Sequence, residues 1–478
     1  MRRCCFALPI LLWCVPLVVA APSLRDRHVV FENSATEDSY FHSQGSVIAP
    51  SELELVRNKF PIIGTRFVSP PNCLRLKWKS VSGGDWRITL KKSMRNGPAS
   101  EFEGDTLCLW CYAEEEIMEA ESPRISVQDS RGNGLPDAPL LDGVGRLPPN
   151  KWVRLEFPLA KFTGRYLDTS ERRFDLSKLS QIAFAQGLDD GRQHVLTIDD
   201  VRIIDRAQAD HEPPAAPVEL AVEGQDSHFD LSWRPNREAD VLSYRIYRSD
   251  DGKKFSPIGT RPGSFQRFVD FVGKPGKTYW YKISAVDLDN NESPLSVPAS
   301  GTTRALNDEE LLKMVQRGCF RYYWDGANRD SGMALEVVPG DENLVAVGAS
   351  GFGIMALVVG TEREFITREQ SVERMLKILR YLKKADRFHG VWPHFLDGRT
   401  GQVWPLFGKY DNGGDLVETA FLVQGLLAAR QYYRGDTAQE REIRATITNL
   451  WHEVEWDWYR KTPDGEVLYW HWSPDHAW

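Results

Sequence analysis

The sequence predicts a multidomain protein in which two β-sandwiches precede an all-α region. Short alternating apolar runs, separated by Gly, Pro and Asn turns, fill residues 27–206 and 213–304. A Pro-rich joint at residues 211–217 separates these two β regions. After residue 305 the apolar period becomes helical. A chain of 478 residues has the length for three domains.

Residues 1–20 have the pattern of a secretory signal peptide. Arg2 and Arg3 precede an apolar run that extends from Phe6 to Val19. Removal of these two charges would change the formal net charge from -8 to -10. We therefore expect a secreted or periplasmic protein with no membrane anchor after signal removal. Its acidic surface argues against nucleic acid as a partner.

The first β region, residues 27–206, is predicted to be a sandwich of the jelly-roll type. Its closing run, residues 196–205, resembles the last strands of galactose-binding-like, carbohydrate-binding β-sandwich modules. In such modules a strand-end acid often helps to hold a structural calcium ion, so Asp199 or Asp200 could do so here. The alternative is that both are ordinary turn acids.

Three tryptophans of this region leave a similar choice open. Trp86, Trp110 and Trp152 could stack on sugar rings or belong to the core of the sandwich. The spacing of Cys108 and Cys111 lacks the second pair that a zinc site would need. A disulfide within the first domain stays open.

Residues 213–304 resemble a fibronectin type III domain. The resemblance rests on Leu231-Ser-Trp233, on Tyr244-Arg-Ile-Tyr247 and on the run from Pro275 to Asp287. Trp233 is expected to be the core tryptophan, with Tyr279 at the tyrosine corner. Such modules act as spacers or contact surfaces, so we assign this one no chemistry.

Five helices are predicted after residue 305. Asn307-Asp-Glu-Glu310 and Thr367-Arg-Glu-Gln370 are capping boxes that each open a helix. A third helix carries Ile443 to Val454 on one face. The segment at 347–360 and a central, mostly apolar helix complete the series, which is typical of the start of an α/α toroid.

The central segment, residues 408–433, joins an acidic loop to that apolar helix. The loop and the first turn supply Asp411, Asp415 and Glu418. Cleavage of a glycosidic bond takes two carboxyl groups, one as acid and one as base or nucleophile. Alternatively, Asp415 and Glu418 form an N-terminal capping box, which would leave Asp411 unexplained.

Aromatic residues are concentrated near these acids. Nine of the sixteen tryptophans fall in the last 173 residues, a density that favours a sugar-binding cleft. We expect Trp392, Trp404 and Trp472 to line the cleft together with His394, and Trp451 to belong to the core. The histidine pairs spaced five apart lack further ligands, which argues against zinc.

Six motifs occur in order between residues 306 and 478. Together they resemble the glucoamylase-like (glycoamylase-like) domain, a family that includes the bacterial endo-β-1,2-glucanases of glycoside hydrolase family 144. The resemblance implies an (α/α)6 barrel, no catalytic metal and inverting hydrolysis. The motifs are Phe320-Arg-Tyr-Tyr-Trp324-Asp, Gly348-Ala-Ser-Gly-Phe-Gly353, Phe365-Ile-Thr-Arg-Glu, Asp386-Arg-Phe-His-Gly390-Val-Trp-Pro-His394, Asp411-Asn-Gly-Gly-Asp415-Leu-Val-Glu418-Thr and Leu468-Tyr-Trp-His-Trp-Ser-Pro-Asp475.

The resemblance assigns the acids of the central segment to catalysis. Asp411 and Asp415 match acids of the family's acidic loop, and Glu418 matches the acid one turn later. An inverting site separates its carboxyls to leave room for water. Three clustered acids do not provide that geometry, and the resemblance places a further acid beyond residue 478.

The number of helices suggests an incomplete barrel. An (α/α)6 barrel needs twelve helices, and about five are supplied. The apolar sides of these five would lack partners. We therefore expect a partial barrel that belongs to a longer enzyme and has low activity or none by itself.

The leading hypothesis is a secreted glycoside hydrolase acting on a bacterial β-glucan, with β-1,2-glucan favoured by the resemblance. We expect an oligo- or polysaccharide partner, a monomer and no cofactor other than the calcium ion considered above. The alternative is a non-catalytic carbohydrate-binding or adhesive surface protein, in which the β modules do the work.

Overall fold

The computed structural model describes residues 24–33, 40, 42–92, 102–134, 137–162, 174–338 and 341–478. The predicted signal peptide lies outside these residues. None of the helices in the described part of the chain has the length and apolarity that a membrane span requires.

The first β region contains two antiparallel sheets. The larger follows the order β12-β7-β14-β5-β3, with β1 beside β14 and β4 beside β5, and the smaller follows β10-β9-β13-β6-β2. The short strands β8 and β11 pair separately, and the strands are β1 (Val29–Phe31), β2 (Gln44–Ile48), β3 (Glu52–Leu53), β4 (Ile62–Ile63), β5 (Cys73–Lys79), β6 (Asp85–Lys91), β7 (Thr106–Tyr112), β8 (Ile117–Met118), β9 (Arg124–Asp129), β10 (Ala138–Pro139), β11 (Arg146–Leu147), β12 (Val153–Pro158), β13 (Leu179–Ala185) and β14 (Gln193–Ile204).

One apolar core lies between these two sheets. Leu76 on β5 and Ile182 on β13 both belong to it, as expected for alternating strands that bury one face. Trp86 is buried in the same core, so the core alternative holds for this tryptophan. Cys108 and Cys111 are buried free thiols, so the disulfide left open by their spacing is not formed between them. Two short helices, α1 (Leu24–His28) and α2 (Leu159–Phe162), flank the sheets.

The second β region is also a two-sheet sandwich. A three-stranded sheet has the order β15-β16-β19 and a four-stranded sheet the order β18-β17-β20-β21. Trp233 packs against Tyr244 in its core, with 5.2 Å between ring centroids, which confirms Trp233 as a core residue. The strands are β15 (Val218–Gly224), β16 (His228–Arg234), β17 (Val241–Ser249), β18 (Ser256–Pro262), β19 (Arg267–Phe271), β20 (Thr278–Asp287) and β21 (Ala299–Thr302).

The region after residue 305 is helical, and its five predicted helices are present. Both predicted capping boxes are formed, at Asn307/Glu310 and Thr367/Gln370. Two strand pairs, β22-β23 and β24-β25, fix the loops between helices. Within the described residues these helices do not close into a barrel, and the elements are α3 (Asp308–Trp324), β22 (Leu344–Ala346), α4 (Val347–Glu362), α5 (Arg368–Leu382), β23 (Phe395–Asp397), β24 (Gly414–Asp415), α6 (Leu416–Tyr432), α7 (Ala438–His452) and β25 (His471–Trp472).

Helices α4 and α6 cross at two glycines. A Cβ atom on Gly425 would lie 2.3 Å from the Gly351 carbonyl oxygen, and one on Gly351 would lie 2.2 Å from the Phe421 carbonyl oxygen. Only a residue without a side chain lets the two backbones approach this closely. Gly351 and Gly425 therefore allow α4 and α6 to pack closely.

One side of α4 and α6 is not covered. Phe352, Met355 and Val359 on α4 and Phe421 on α6 are exposed, and the rings of Phe352 and Phe421 contact each other at 5.5 Å. We call these four residues the open helical face. The mostly apolar helix α6 is therefore exposed at Phe421, because no described element packs over that side.

Candidate active site

The acidic loop is held beside the C-terminal motif by the short strand pair β24-β25. Asp415 pairs with His471, and Gly414 pairs with Trp472. A Cβ atom on Gly413 would lie 2.0 Å from the Trp472 carbonyl oxygen, so the loop can pass this strand only with glycine there. The pairing brings two motifs that are distant in sequence into one site.

Asp415 is the N-cap of α6. Its Oδ1 accepts hydrogen bonds from the backbone amides of Val417 at 3.0 Å and Glu418 at 2.9 Å. The indole Nε1 of Trp470 donates to both carboxylate oxygens, at 3.0 and 2.9 Å. Asp415 is 2% exposed. The predicted N-cap role of Asp415 is therefore confirmed, and these donors fix its carboxylate in place.

Glu418 does not reach back to complete a capping box. Its Oε2 instead accepts a hydrogen bond of 2.9 Å from the amide of Gly348, in the first turn of α4. Negative charge is favoured at a helix N-terminus. Glu418 therefore connects the first turns of α6 and α4, and its Oε1 faces His394.

His394 lies between two of the acids. Its Nδ1 is 3.4 Å from Asp415 Oδ2, and its Nε2 is 3.8 Å from Glu418 Oε1. The imidazole stacks on Phe395, with 4.1 Å between ring centroids. The His394 ring therefore lies between Asp415, the N-cap of α6, and Glu418, one turn further along the helix.

Asp411 lies on the loop that precedes the strand pair. Its Oδ2 accepts a hydrogen bond of 3.1 Å from the Phe407 amide, and its Oδ1 is 3.9 Å from His471 Nε2. The side chain is mostly buried. The structure therefore brings the three predicted acids and His394 together, and it adds His471 on the far side of Asp411.

The pKa values of Asp411, Glu418 and His394 are all raised, whereas burial lowers the pKa of His471. Burial raises the pKa of both Asp411 and Glu418, although the nearby His394 charge acts against the rise. Burial would lower the pKa of His394, but the hydrogen bond that the ring donates to Asp415 and the charges of Glu418, Asp415 and Asp411 outweigh it, so this pKa is raised. All three groups therefore hold protons more readily than in water, as proton transfer requires.

Glu336 is a fourth acid that sequence reasoning missed. Burial and the charge of Glu418 raise the pKa of Glu336, while the charge of His394 lowers it, so this carboxyl interacts electrostatically with the same pair. Glu336 follows Leu335, which forms a bridge with Val345 on β22. Its only sequence signal is an acid within a short apolar run, and tertiary packing alone brings it to the site.

The predicted aromatic lining needs correction. Trp392 is 0% exposed and its Nε1 donates to the Leu382 carbonyl oxygen at 3.3 Å, so it offers a sugar no ring face. Trp404 is 8% exposed and packs in a small apolar cluster with Phe395. Both belong to the core because the loops that carry them fold beneath the acids. Trp472 remains a candidate for the lining of the cleft. It is half-buried, and its ring centroid lies 5.3 Å from that of His389.

Other aromatic rings are accessible beside the acids. Trp470 is 61% exposed even though its Nε1 is bound to Asp415. Phe407 and Tyr410, which flank the acidic loop, are also largely exposed. They escaped sequence reasoning because exposure of a loop aromatic depends on neighbours distant in sequence.

The two acids predicted to hold calcium are buried at the end of the first sandwich. Asp199 accepts backbone amides from Val68 at 2.6 Å and Ser69 at 2.8 Å, and Asp200 forms an ion pair with Arg202. These donors and the Asp200 amide engage three of the four carboxylate oxygens, while Asp200 Oδ2 is buried without a hydrogen-bond partner among the described residues, so calcium binding here stays a prediction. A group of three carboxylates occurs elsewhere among the described residues. The oxygens of Asp210, Asp240 and Asp287 can lie within 4.8 Å of one another.

Comparison with known proteins identifies relatives of this chain. No protein-family model matches it. An exo β-1,2-glucooligosaccharide sophorohydrolase of Parabacteroides distasonis is 40% identical over 451 residues, which is 94% of this chain and 62% of that protein. A β-1,2-glucanase structure from P. distasonis aligns with a TM-score of 0.74 at 40% identity, covering 96% of this chain and 64% of that one.

A shorter match involves the endo-β-1,2-glucanase of Chitinophaga pinensis, solved with sophorotriose and glucose. It is 51% identical and covers 36% of this chain and 43% of that one, with a TM-score of 0.35. The chain described here thus spans about three fifths of the length of the P. distasonis sophorohydrolase. The chain is similar to the sophorohydrolase and the β-1,2-glucanase of P. distasonis, which confirms the predicted resemblance to the β-1,2-glucanases.

Proposed function

We propose that this chain is part of a glycoside hydrolase that acts on β-1,2-glucan. The observation that carries the proposal is the cluster around His394, in which Asp411 and Glu418 have raised pKa values and Asp415 is fixed by helix amides and Trp470. Glycosidic bond cleavage needs a carboxyl that keeps its proton until the leaving oxygen takes it. The names of the P. distasonis relatives supply the substrate class.

The three predicted acids would have different roles. Asp415 already accepts two helix amides and an indole N–H, so it acts as a positioning residue that orients His394. Glu418 and Asp411 are the proton-handling candidates, because each retains a carboxylate oxygen without a hydrogen-bond donor in the described structure. The inverting course is proposed from the family resemblance, and Glu336 offers a further carboxyl that interacts electrostatically with His394.

Substrate contacts are proposed for the accessible aromatic rings. Trp470, Phe407 and Tyr410 border the acids, and Trp472 lies on the strand that pairs with the acidic loop. Aromatic faces suit the apolar faces of glucose rings. His394 would hydrogen-bond a sugar hydroxyl and also set the charge of the site.

We also propose that the five helices form part of an (α/α)6 barrel. The open helical face supports this, because four large apolar side chains on α4 and α6 lie where neighbouring helices of a toroid would pack. The sandwiches at residues 27–206 and 213–304 would be a carbohydrate-binding-like module and a fibronectin type III spacer, in a protein that is secreted or periplasmic, monomeric and independent of a catalytic cofactor.

The test is release of reducing ends from linear β-1,2-glucan, with β-1,3-glucan as the control substrate. It is run on the 478-residue chain and on the full product of its gene. We expect products from β-1,2-glucan alone. Binding of β-1,2-glucan without any hydrolysis by either protein would contradict the proposal and favour a carbohydrate-binding protein.

The pH profile should reveal the charge of His394. His394 lowers the pKa of Glu418 and Asp411, so His394→Gln should raise these pKa values. If either carboxyl is the general acid, the alkaline limb of kcat/KM moves to higher pH in the variant. His452→Gln, at the end of α7, is the control. An alkaline limb that stays in place or moves to lower pH would contradict this coupling.

A further inference from the structure

A cavity lies between the second sandwich and the helical region. It has a volume of about 220 Å³ and shares no lining residue with the site around His394. Ser264 and Phe265 line it from the loop that joins β18 to β19, and Trp324 lines it from the end of α3. We propose that this joint cavity binds an oxyanion, which is a phosphate, sulfate or carboxylate group.

Four cationic side chains line the joint cavity. Arg374 and Lys377 are three residues apart on α5 and therefore share one helix face. Arg399 follows β23, and Arg329 follows α3. Cations from three separate segments thus converge on one cavity, where they repel one another unless an anion lies between them.

In the described part of the chain, Arg399 is a largely buried cation with an unpaired donor. Its side chain is only 10% exposed, and its closest acid, Asp397, is 3.7 Å away. Its Nε is buried and has no hydrogen-bond acceptor among the described residues. A guanidinium has five N–H donors, and a buried donor without an acceptor is costly. An oxyanion matches this fork with two parallel hydrogen bonds.

Arg374 is held in a fixed orientation at the cavity wall. Its guanidinium lies 4.2 Å from the centroid of the Trp324 ring, and its Nη1 donates to the Trp324 carbonyl oxygen at 3.3 Å. Burial lowers the pKa of both Arg374 and Lys377, which indicates that nearby acids do not fully compensate their charges. The site is therefore built before any ligand enters.

Acids in the same wall are already engaged by other groups. Asp325 forms an ion pair with Arg267 on β19 at 2.7 Å. Glu342 accepts a hydrogen bond of 2.7 Å from the Ser264 hydroxyl. Asp330 and Glu373 remain as partial counter-charges for Lys377, and Asp325 also acts on Arg374. The balance of the cavity is therefore cationic, which suits an anion better than a neutral sugar.

Calorimetric titration of the full 478-residue chain with sodium phosphate, at constant ionic strength, tests the proposal. We expect saturable binding at one site. Arg399→Gln should weaken it about tenfold, the effect of losing one charge-assisted hydrogen-bonding group. Arg380→Gln is the matched control, because this exposed arginine of α5 has only a 3.9 Å contact with Glu442.

A second variant guards against misfolding of Arg399→Gln. Lys377→Gln changes an exposed side chain of the same cavity and should also weaken phosphate binding. A parallel titration with glucose 6-phosphate tests whether the bound anion is part of a sugar phosphate. Tighter binding than that of phosphate indicates a sugar phosphate, and equal binding indicates a free anion. Absence of saturable binding, or unchanged binding in both variants, would overturn the proposal and leave Arg399 as the partner of Asp397 alone.

Discussion

Glu418→Gln is expected to lower kcat/KM on β-1,2-glucan by about 10²–10⁴-fold, the usual contribution of a general acid or base. Glutamine keeps an oxygen that can accept the Gly348 amide, so the link between α6 and α4 survives. What it loses is the ability to hold and release a proton beside His394. The measurement is steady-state kinetics on the full gene product, with circular dichroism as a check of folding.

Glu442→Gln is the matched control for this variant. Glu442 is an exposed acid on α7, and its contact with Arg380 is 3.9 Å long. Its loss should change kcat/KM less than twofold, since a surface pair of this kind contributes little. If Glu418→Gln keeps more than about a tenth of the wild-type kcat/KM, Glu418 is not a proton-handling group and Asp411 takes that role.

Local sequence chemistry predicted much of the helical region. The capping boxes at Asn307 and Thr367 have all their partners within four residues, so they could be read directly. The same holds for Asp415, whose N-cap bonds are local. The close crossing at Gly351 was predictable because small residues recur on one face of a helix that is otherwise apolar.

Long-range contacts account for the predictions that failed. Trp392 and Trp404 stand in loops, where sequence favours exposure, but those loops fold beneath the acidic cluster and bury both rings. The electrostatic interaction of Glu336 with His394 joins two residues more than fifty positions apart in the sequence. The Glu418 carboxylate accepts the Gly348 amide rather than the amide of its own N-cap because α4 lies alongside α6. Each of these contacts depends on tertiary packing, which single-sequence patterns do not encode.

Of the alanine substitutions at the three acids, Asp415→Ala should be the most destabilising, by about 2–4 kcal/mol. Loss of an N-cap costs about 0.5–2 kcal/mol, and leaving buried donors without acceptors adds about 1–3 kcal/mol. The affected donors are the Val417 and Glu418 amides, Trp470 Nε1 and His394. Urea unfolding, followed by the helical circular-dichroism signal, measures the change.

Asp415→Asn separates the cap from the charge. Asparagine caps a helix about as well as aspartate, so the α6 amides keep an acceptor, while the negative charge beside His394 is lost. The pKa of His394 is raised above its ordinary value of 6.5, so its ion-pair contribution is present below that pH and is lost as pH rises through the raised pKa. The destabilisation by Asp415→Asn should therefore shrink on raising the pH, whereas that of Asp415→Ala should keep the part due to the cap. A destabilisation by Asp415→Asn that does not change with pH would show that Asp415 has no charge coupling to His394.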